Sequence, residues 1–274
     1  MSHNVYLPKL ARIKQIKEEV GGARPIKTFR VTLINEDEFT FKCGQCAMLS
    51  VFGRGESMIS ISSSPLVNDY LQFSILKMGR VTSALHELEE GDIIGLRGPF
   101  GNGFPIDEWK GKNLVFIGGG IGLAPIWSVL HTALGKKDDY GSLTLIYGAR
   151  TSKDLVFKKE LEELRKRVEV HLSVDVEEPG WDEFVGFVPV NVLDKKPSPK
   201  NAVAVTCGPP IMIKYVIQNL KALGFEDDQI YTTVENKMKC GVGKCGRCNI
   251  GRHYVCKDGP VYSWAELKLL PQEY

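Results

Sequence analysis

The chain has 274 residues, 43% of them hydrophobic and 25% charged, with a formal net charge of +2. That suits a globular protein of one large domain or two to three small ones, able to bury a core without disulfides. So balanced a charge supplies no whole-molecule field for nucleic acid or a membrane surface, and Met1 to Lys14 has no secretory pattern, so the expected location is the cytoplasm.

The first third reads as antiparallel β. Thr28-Phe-Arg-Val-Thr-Leu-Ile and Ala47-Met-Leu-Ser-Val-Phe are short β-rich runs. Leu71-Gln-Phe-Ser-Ile-Leu alternates apolar with polar, the period of a half-buried strand. Turn signals at Gly53, Gly55, Asn68-Asp69, Gly79 and Gly91-Asp92 separate these runs, and the spacing predicts a small barrel.

The pattern changes near Trp109-Lys110-Gly111-Lys112. Asn113-Leu-Val-Phe-Ile-Gly reads as a buried strand, Leu123 to Leu134 as a helix, Ser142-Leu-Thr-Leu-Ile-Tyr as a strand and Phe157 to Arg167 as a charged amphipathic helix. Val168-Glu-Val-His-Leu-Ser-Val and Asn201-Ala-Val-Ala-Val-Thr follow as strands, and Ile211 to Leu223 as a helix. Strands alternating with helices predict a parallel α/β sheet. From about Asn236 the chain is rich in Gly and Cys and has little periodicity. The expected organisation is a barrel over 1–108, an α/β unit over 109–235 and a cysteine segment over 236–274.

No residue between Leu114 and Leu130 is charged, yet the run is no membrane span. A bilayer needs roughly 20 apolar residues, and this stretch carries Gly118, Gly119, Gly120, Gly122 and Pro125 in its middle. A strand, a tight loop and a helix account for it.

Four of the seven cysteines lie between Cys240 and Cys256, spaced Cys240-x4-Cys245-x2-Cys248-x7-Cys256. Clustering without export signals reads as metal binding rather than a disulfide framework. The first three match the C-x4-C-x2-C spacing of plant-type [2Fe–2S] sites, with a fourth cysteine further on. Gly241, Gly243 and Gly246 fall between these residues, where a loop wrapping a cluster must turn tightly and aim N–H groups at sulfur. A structural zinc knot is the competing reading, but zinc sites favour paired short Cys steps and only one occurs here. Lys237, Lys239, Lys244, Arg247, Arg252 and Lys257 make the segment basic, either as plain solvated surface or as a guide for an acidic redox partner.

Gly118-Gly-Gly-Ile-Gly-Leu-Ala-Pro125 follows a strand and opens a helix, where glycines let backbone approach a pyrophosphate. Its spacing departs from the G-x-G-x-x-G fingerprint, so the usual dinucleotide fold is not expected. Cys207-Gly208-Pro209-Pro210 follows another strand, and in an α/β sheet both loops can face one crevice. Taken alone, Cys207 reads equally as a small buried hydrophobe. The histidines His3, His86, His131, His171 and His253 do not cluster, and Trp127, Trp181 and Trp264 read as packing residues.

With Arg97-Gly-Pro-Phe-Gly-Asn-Gly-Phe-Pro105, Met238-Lys-Cys-Gly-Val-Gly-Lys-Cys-Gly and Cys256-Lys-Asp-Gly-Pro-Val added, nearly the whole chain resembles the ferredoxin–NADP reductase superfamily. Within it, the chain is similar to the branch of the dihydroorotate dehydrogenase electron-transfer subunit, and most of all to the gamma subunits of sulfhydrogenases, the NADP-reducing [NiFe]-hydrogenases. The resemblance implies an antiparallel β-barrel for FAD, a parallel-sheet α/β domain for NAD(P)H and a C-terminal [2Fe–2S] loop on Cys240, Cys245, Cys248 and Cys256. It places Ser57, Met58, Ile59, Ser60 and Ile61 at the isoalloxazine ring, and Leu76, Lys77, Gly79, Val81 and Thr82 toward the flavin pyrophosphate. Gly119, Gly120, Gly122, Ala124, Pro125, Arg150, Cys207, Gly208 and Pro209 fall to the nicotinamide nucleotide, with Ser60 and Cys207 at the site of hydride transfer. Two departures stand out. Ser57-Met58 replaces the family's Arg-Pro, and Cys43-Gly-Gln-Cys46 replaces Pro-Gly-Gln-Phe; those two cysteines read as buried thiols or as a redox or extra-metal pair.

The implied function is an electron-transfer flavoprotein subunit of a larger redox complex, most simply a hydrogenase. The alternatives are the subunit serving dihydroorotate dehydrogenase, an anaerobic sulfite reductase or a heterodisulfide-reductase-type complex, or a non-catalytic cluster-bearing adaptor. Arg150 and Lys153 lean slightly toward NADPH, while Asp154 and Asp175 pull the other way.

Overall fold

The computed structural model describes residues 4–34 and 38–271; His3 lies outside them. The N-terminal part is a six-stranded antiparallel sheet of β1 (Lys9–Val20), β2 (Ile26–Leu33), β3 (Cys46–Val51), β4 (Gly55–Ser60), β5 (Leu71–Leu76) and β6 (Ile93–Phe100). A short helix, α1 (Arg80–His86), lies between β5 and β6. The strand order is β4-β3-β6-β1-β2-β5, and the end strands β4 and β5 approach each other, so the sheet curls into the expected barrel. Alternate residues fill its interior, among them Ala11, Ile13, Phe29, Val31, Leu49, Phe73 and Leu96.

The polar face of β5 departs from the half-buried expectation. Gln72 and Ser74 are buried too, because that face meets neighbouring polar groups instead of water. Ser74 Oγ lies 2.8 Å from Thr28 Oγ1, and Arg30 Nε donates to Gln72 Oε1 at 3.1 Å. Three barrel strands, β1, β4 and β6, gave little signal in the sequence. β1 is charged on its outer face and bends at register shifts against β2, and β6 ends in the Arg97-to-Phe100 motif.

The second sheet runs through β7 (Asn113–Gly119), β8 (Leu143–Ala149), β9 (Glu169–Val174), β10 (Phe184–Val185), β11 (Ala202–Cys207) and β12 (Ile230–Thr233). Helices α2 (Leu123–Gly135), α3 (Lys158–Leu164), α4 (Val188–Lys195) and α5 (Pro210–Ala222) connect them. The order is β10-β9-β8-β7-β11-β12, all parallel. Both faces are covered, which is why these strands read as continuous apolar runs. Leu114 and Phe116 face the core with Ile126 and Leu130 of α2, while Val115 and Ile117 face the core with Val216 and Leu220 of α5.

The helix expected from Phe157 begins one residue later. Phe157 adopts a left-handed conformation (φ 59°), stacks on Trp127 at 4.5 Å and donates its N–H to Glu19 Oε2 at 3.0 Å. It fastens the α/β unit to the barrel instead of opening the helix.

The cysteine-rich part contains β13 (Asn249–Ile250), β14 (His253–Tyr254), α6 (Val255–Asp258), β15 (Val261–Ser263) and α7 (Trp264–Leu267). Although the sequence there lacks periodicity, β15 pairs antiparallel with β12 and extends the second sheet to seven strands.

Candidate functional site

The cysteine loop is shaped by glycines. Gly241, Gly243 and Gly246 have φ of 80°, 68° and 74°, and a Cβ on Gly241 would lie 2.7 Å from the Phe100 ring. The turns aim backbone at sulfur: the N–H groups of Val242, Lys244 and Cys245 point to Cys240 Sγ at 3.5, 3.3 and 3.4 Å, and that of Gly243 points to Cys256 Sγ at 3.1 Å. Burial works against ionising Cys240, but the donors from Cys245, Val242 and Lys244 outweigh it and bring the thiol down to about 6. Burial pushes Cys256 up to about 12 against the single donor from Gly243, with the Cys248 thiol beside it adding to the rise.

Cys245 acts on Cys240, and both Cys248 and Cys240 act on Cys256, so the four thiols share one neighbourhood. Among the described residues no three metal-binding side chains converge on one point. Four neighbouring thiols at C-x4-C-x2-C spacing, supplied with backbone donors to sulfur, suit a two-iron cluster. Among the described residues the hydroxyl of buried Tyr262, which packs against Gly259, has no hydrogen-bond partner. The residues therefore fit a [2Fe–2S] group. Cys245 and all six basic residues of the segment are exposed.

The Arg97-to-Pro105 motif clamps this loop from both ends. Arg97 Nη1 donates to the carbonyl of Cys240 at 3.3 Å. Asn102 Nδ2 donates to Val261 O at 2.7 Å, Asn102 Oδ1 accepts from Val261 N at 3.1 Å, and Asn102 N donates to Gly259 O at 2.6 Å. The sequence motifs on either side of this contact thus explain each other.

On the barrel, Ser57, Met58, Ile59 and Ser60 all lie on β4, and every residue from Glu56 to Ser60 is half-buried, without the inside–outside alternation of an ordinary strand. Ile61 is buried in the barrel core. A Cβ on Gly55 would lie 3.4 Å from Val81, so the two stretches assigned to flavin meet. Lys77 and Gly79 are exposed, and Leu76 packs on the α/β core. The Thr82 hydroxyl accepts from Gly79 N at 2.8 Å and Met78 N at 3.0 Å and donates to Gly79 O at 3.1 Å, so it and those two N–H groups are engaged with one another and brace the turn. A half-covered strand beside this turn is a cradle that fits a flavin.

On the α/β unit, Gly118 pairs in register with Cys207. A Cβ on Gly122 would lie 2.5 Å from Cys207 O and 2.6 Å from Gly208 Cα, and one on Gly119 would collide with Met212 and lie 3.3 Å from Pro209. The Gly-rich loop and the Cys-Gly-Pro-Pro turn therefore touch at the carboxyl ends of adjacent strands, and only glycine lets them do so. Ala124 and Pro125 are buried in the first turn of α2, behind the loop. Arg150 is exposed at the end of β8, beside Asp175, whose carboxyl burial raises while Arg150 lowers it.

Cys207 Sγ lies 2.9 Å from Thr233 Oγ1, and burial, foremost, pushes its thiol up to about 12. Cys46 Sγ lies 3.7 Å from Ser60 Oγ, and burial pushes it up to about 11. The Glu235 carboxylate raises both thiols, and Cys46 adds to the rise at Cys207. Thr233, against Cys207, and Glu235, whose charge bears on both Cys46 and Cys207, are two residues that sequence reasoning missed. Their signal was positional, since Thr233 ends the last parallel strand and Glu235 follows it at the carboxyl end. Cys43, pushed up to about 12 by burial, faces Thr132 instead, so Cys43 and Cys46 look toward different neighbours.

Barrel, parallel sheet and cysteine loop together define a nicotinamide-nucleotide oxidoreductase with an iron–sulfur module. Residues 116–218 match the oxidoreductase NAD-binding domain, and residues 235–268 match the iron-sulfur cluster binding domain of dihydroorotate dehydrogenase B. The chain is 41% identical to the sulfhydrogenase 1 subunit gamma of Pyrococcus furiosus over 86% of this chain and 83% of that one. It is 34% identical to a probable dihydroorotate dehydrogenase B (NAD(+)) electron transfer subunit of the same organism, over 94% and 92%. The solved structure of an NADH-dependent reduced ferredoxin-NADP oxidoreductase, reported for flavin-based electron bifurcation, superposes with a TM-score of 0.72 at 21% identity, covering 100% of this chain and 95% of that one. The chain belongs to the family of the sulfhydrogenase gamma subunits and the dihydroorotate dehydrogenase B electron-transfer subunits.

Proposed function

We propose that this chain is the electron-transfer subunit of a multi-subunit redox enzyme, passing electrons between NAD(P)H and a partner subunit by way of FAD on the barrel and a [2Fe–2S] cluster on Cys240, Cys245, Cys248 and Cys256. The observation that carries the reading is the convergence of the three parts. The barrel bonds β15 of the α/β sheet through Asn102 and Val261 at 2.7 and 3.1 Å, it holds the cysteine loop through Arg97 and the Cys240 carbonyl at 3.3 Å, and Ser60 lies against Cys46. FAD when bound supplies the exchange between a hydride and single electrons, and the cluster carries one electron at a time.

The chain's own residues bind, orient and exclude water. Ser57 to Ile61 offer β4 to the isoalloxazine ring, and Leu76, Lys77, Gly79, Val81 and Thr82 line the place of the pyrophosphate. Gly119, Gly120 and Gly122, at the start of the helix holding Ala124 and Pro125, admit the nucleotide phosphates against Gly208 and Pro209. Cys207 stays a protonated thiol at neutral pH and shapes the nicotinamide end without titrating there. Hydride transfer asks for position more than for acid–base groups. Arg150 and Lys153 favour a 2′-phosphate, and since Asp154 caps Thr151 and Arg150 offsets Asp175, we lean to NADPH with mixed use.

The division at 108 and 235 follows the gaps between β6 and β7 and after β12, although β15 returns to the α/β sheet. The basic exposed rim around Cys245 suits an acidic face on the partner, which family membership points to as a hydrogenase. A dihydroorotate-dehydrogenase-type partner is the second reading, supported by the family match of the cysteine segment. The reducing cytoplasm suits seven unpaired cysteines.

The test is purification under argon. One FAD, two irons and two sulfides per chain are expected, with dye reduction by NADPH or NADH. Zinc or four irons at the loop, or no dye reduction as in a non-catalytic adaptor, would overturn the reading. A tenfold kcat/KM preference for NADH, about 1.4 kcal/mol, would reverse the cofactor lean alone.

A further inference from the structure

Arg97 is a nearly completely buried arginine, 5% exposed, outside every nucleotide site described above. It sits on β6 and reaches across β3 to Glu56 on β4, with Nη2 donating to Oε1 at 2.7 Å and Nε to Oε2 at 3.0 Å. Its Nη1 donates to the carbonyls of Val5 at 3.0 Å and Cys240 at 3.3 Å. The guanidinium lies 5.9 Å from the Tyr6 ring and 5.5 Å from the Phe100 ring, and Phe100 in turn packs on Gly241. One side chain therefore bonds both the residue preceding Ser57 on the flavin strand and the first cysteine of the cluster loop. A planar fork with five donors can do this; an ammonium cannot.

We propose that Arg97 is a positioning residue that, paired with Glu56, fixes the cluster loop against the flavin strand and sets the cluster's reduction potential. The inference rests on the reading of Cys240, Cys245, Cys248 and Cys256 as [2Fe–2S] ligands. The buried cation adjoins the Cys240 carbonyl, where its charge acts strongly, while the Glu56 side chain is 35% exposed and acts more weakly, through water. Reducing the cluster adds one negative charge, so the Arg97 cation favours the reduced form and the Glu56 anion disfavours it. Intact, the pair is nearly neutral; each half removed leaves the other exposed to the cluster.

The test is a redox titration of the anaerobically purified full chain, followed by the electron spin signal of the reduced cluster. Glu56→Gln leaves the cation uncompensated and is expected to raise the midpoint potential. Arg97→Gln leaves the carboxylate uncompensated and is expected to lower it. Arg97→Lys keeps the charge and loses the fork; its potential should stay nearer the parent's, while amide hydrogen exchange over residues 238–246 should speed up several-fold. A pair that merely packed the barrel would give no shift, or shifts of one sign in both charge variants, and either result overturns the proposal. If Arg97→Gln fails to hold its cluster, Glu56→Gln decides alone: a raised potential supports the proposal and an unmoved or lowered one refutes it. A parent protein without two irons and two sulfides would refute the underlying reading. A parent with the cluster and unmoved variants would refute only this inference.

Discussion

Asn102 and Val261 bind each other twice. The Asn102 amide donates to the Val261 carbonyl at 2.7 Å and accepts from the Val261 N–H at 3.1 Å, as a neighbouring strand would. This contact joins the barrel's Gly-Pro-Phe-Gly-Asn turn to β15, which follows the last cysteine. Asn102→Ala removes both bonds and is expected to cost about 1–2 kcal/mol, read by urea denaturation, with faster iron release to a chelator. Unchanged stability and iron retention would mean the clamp is unimportant.

Gly122→Ala tests the meeting of the two nucleotide loops. The added methyl would collide with the Cys207 carbonyl and Gly208. Overpacking of this kind costs about 1–3 kcal/mol. The KM for NAD(P)H is expected to rise roughly tenfold, about 1.4 kcal/mol, while the flavin stays bound. Flavin loss with an unchanged KM would misplace the loop's role.

Burial keeps the Cys207, Cys46 and Cys43 thiols protonated, at about 12, 11 and 12. Below pH 9 the native metal-free chain should therefore resist iodoacetamide at these three positions. Cys245 is exposed and should label readily. Peptide mass spectrometry gives the site-by-site rates, and rapid labelling of Cys207 would contradict its burial.

His131 should make the fold acid-sensitive. Burial, then Arg167, lowers it to about 4. Unfolded, it titrates near 6.5. As pH falls between those values the unfolded chain takes up a proton that the folded one refuses. Stability is therefore lost through that window, and the loss is complete below about 4. The contribution is at most about 3 kcal/mol. A Tm series from pH 7 to 4 should fall less steeply for His131→Gln than for the parent; parallel slopes would exclude this residue as the cause.

Much of this architecture was legible because period and spacing are local. The two-face burial of β7 and β11 wrote itself as apolar runs, and the four cysteines kept their ligand spacing. What was hidden depends on chain brought in from afar. Gln72 and Ser74 look solvent-facing until Thr28, Arg30 and neighbouring polar groups cover them. Phe157 looks like the start of a helix until Trp127 and Glu19 claim it. β15 is three residues long, too short for any period, and its strand state comes from β12. Glu56 lies within the flavin stretch but its pairing with Arg97 comes from β6, and Thr233 and Glu235 had only their place at the end of β12 to mark them.

The central claim is the order nicotinamide, flavin, cluster, partner. Cys245→Ala takes one ligand from the exposed edge of the loop and leaves both cores intact. The variant should be purified with its co-purifying subunits and assayed for NAD(P)H-driven dye reduction and for partner-linked turnover. The account predicts that dye reduction persists at close to the parent's rate, while partner-linked turnover is lost together with the cluster's spin signal. Partner-linked turnover that survives loss of the cluster would contradict that order and leave the cysteine loop a structural element.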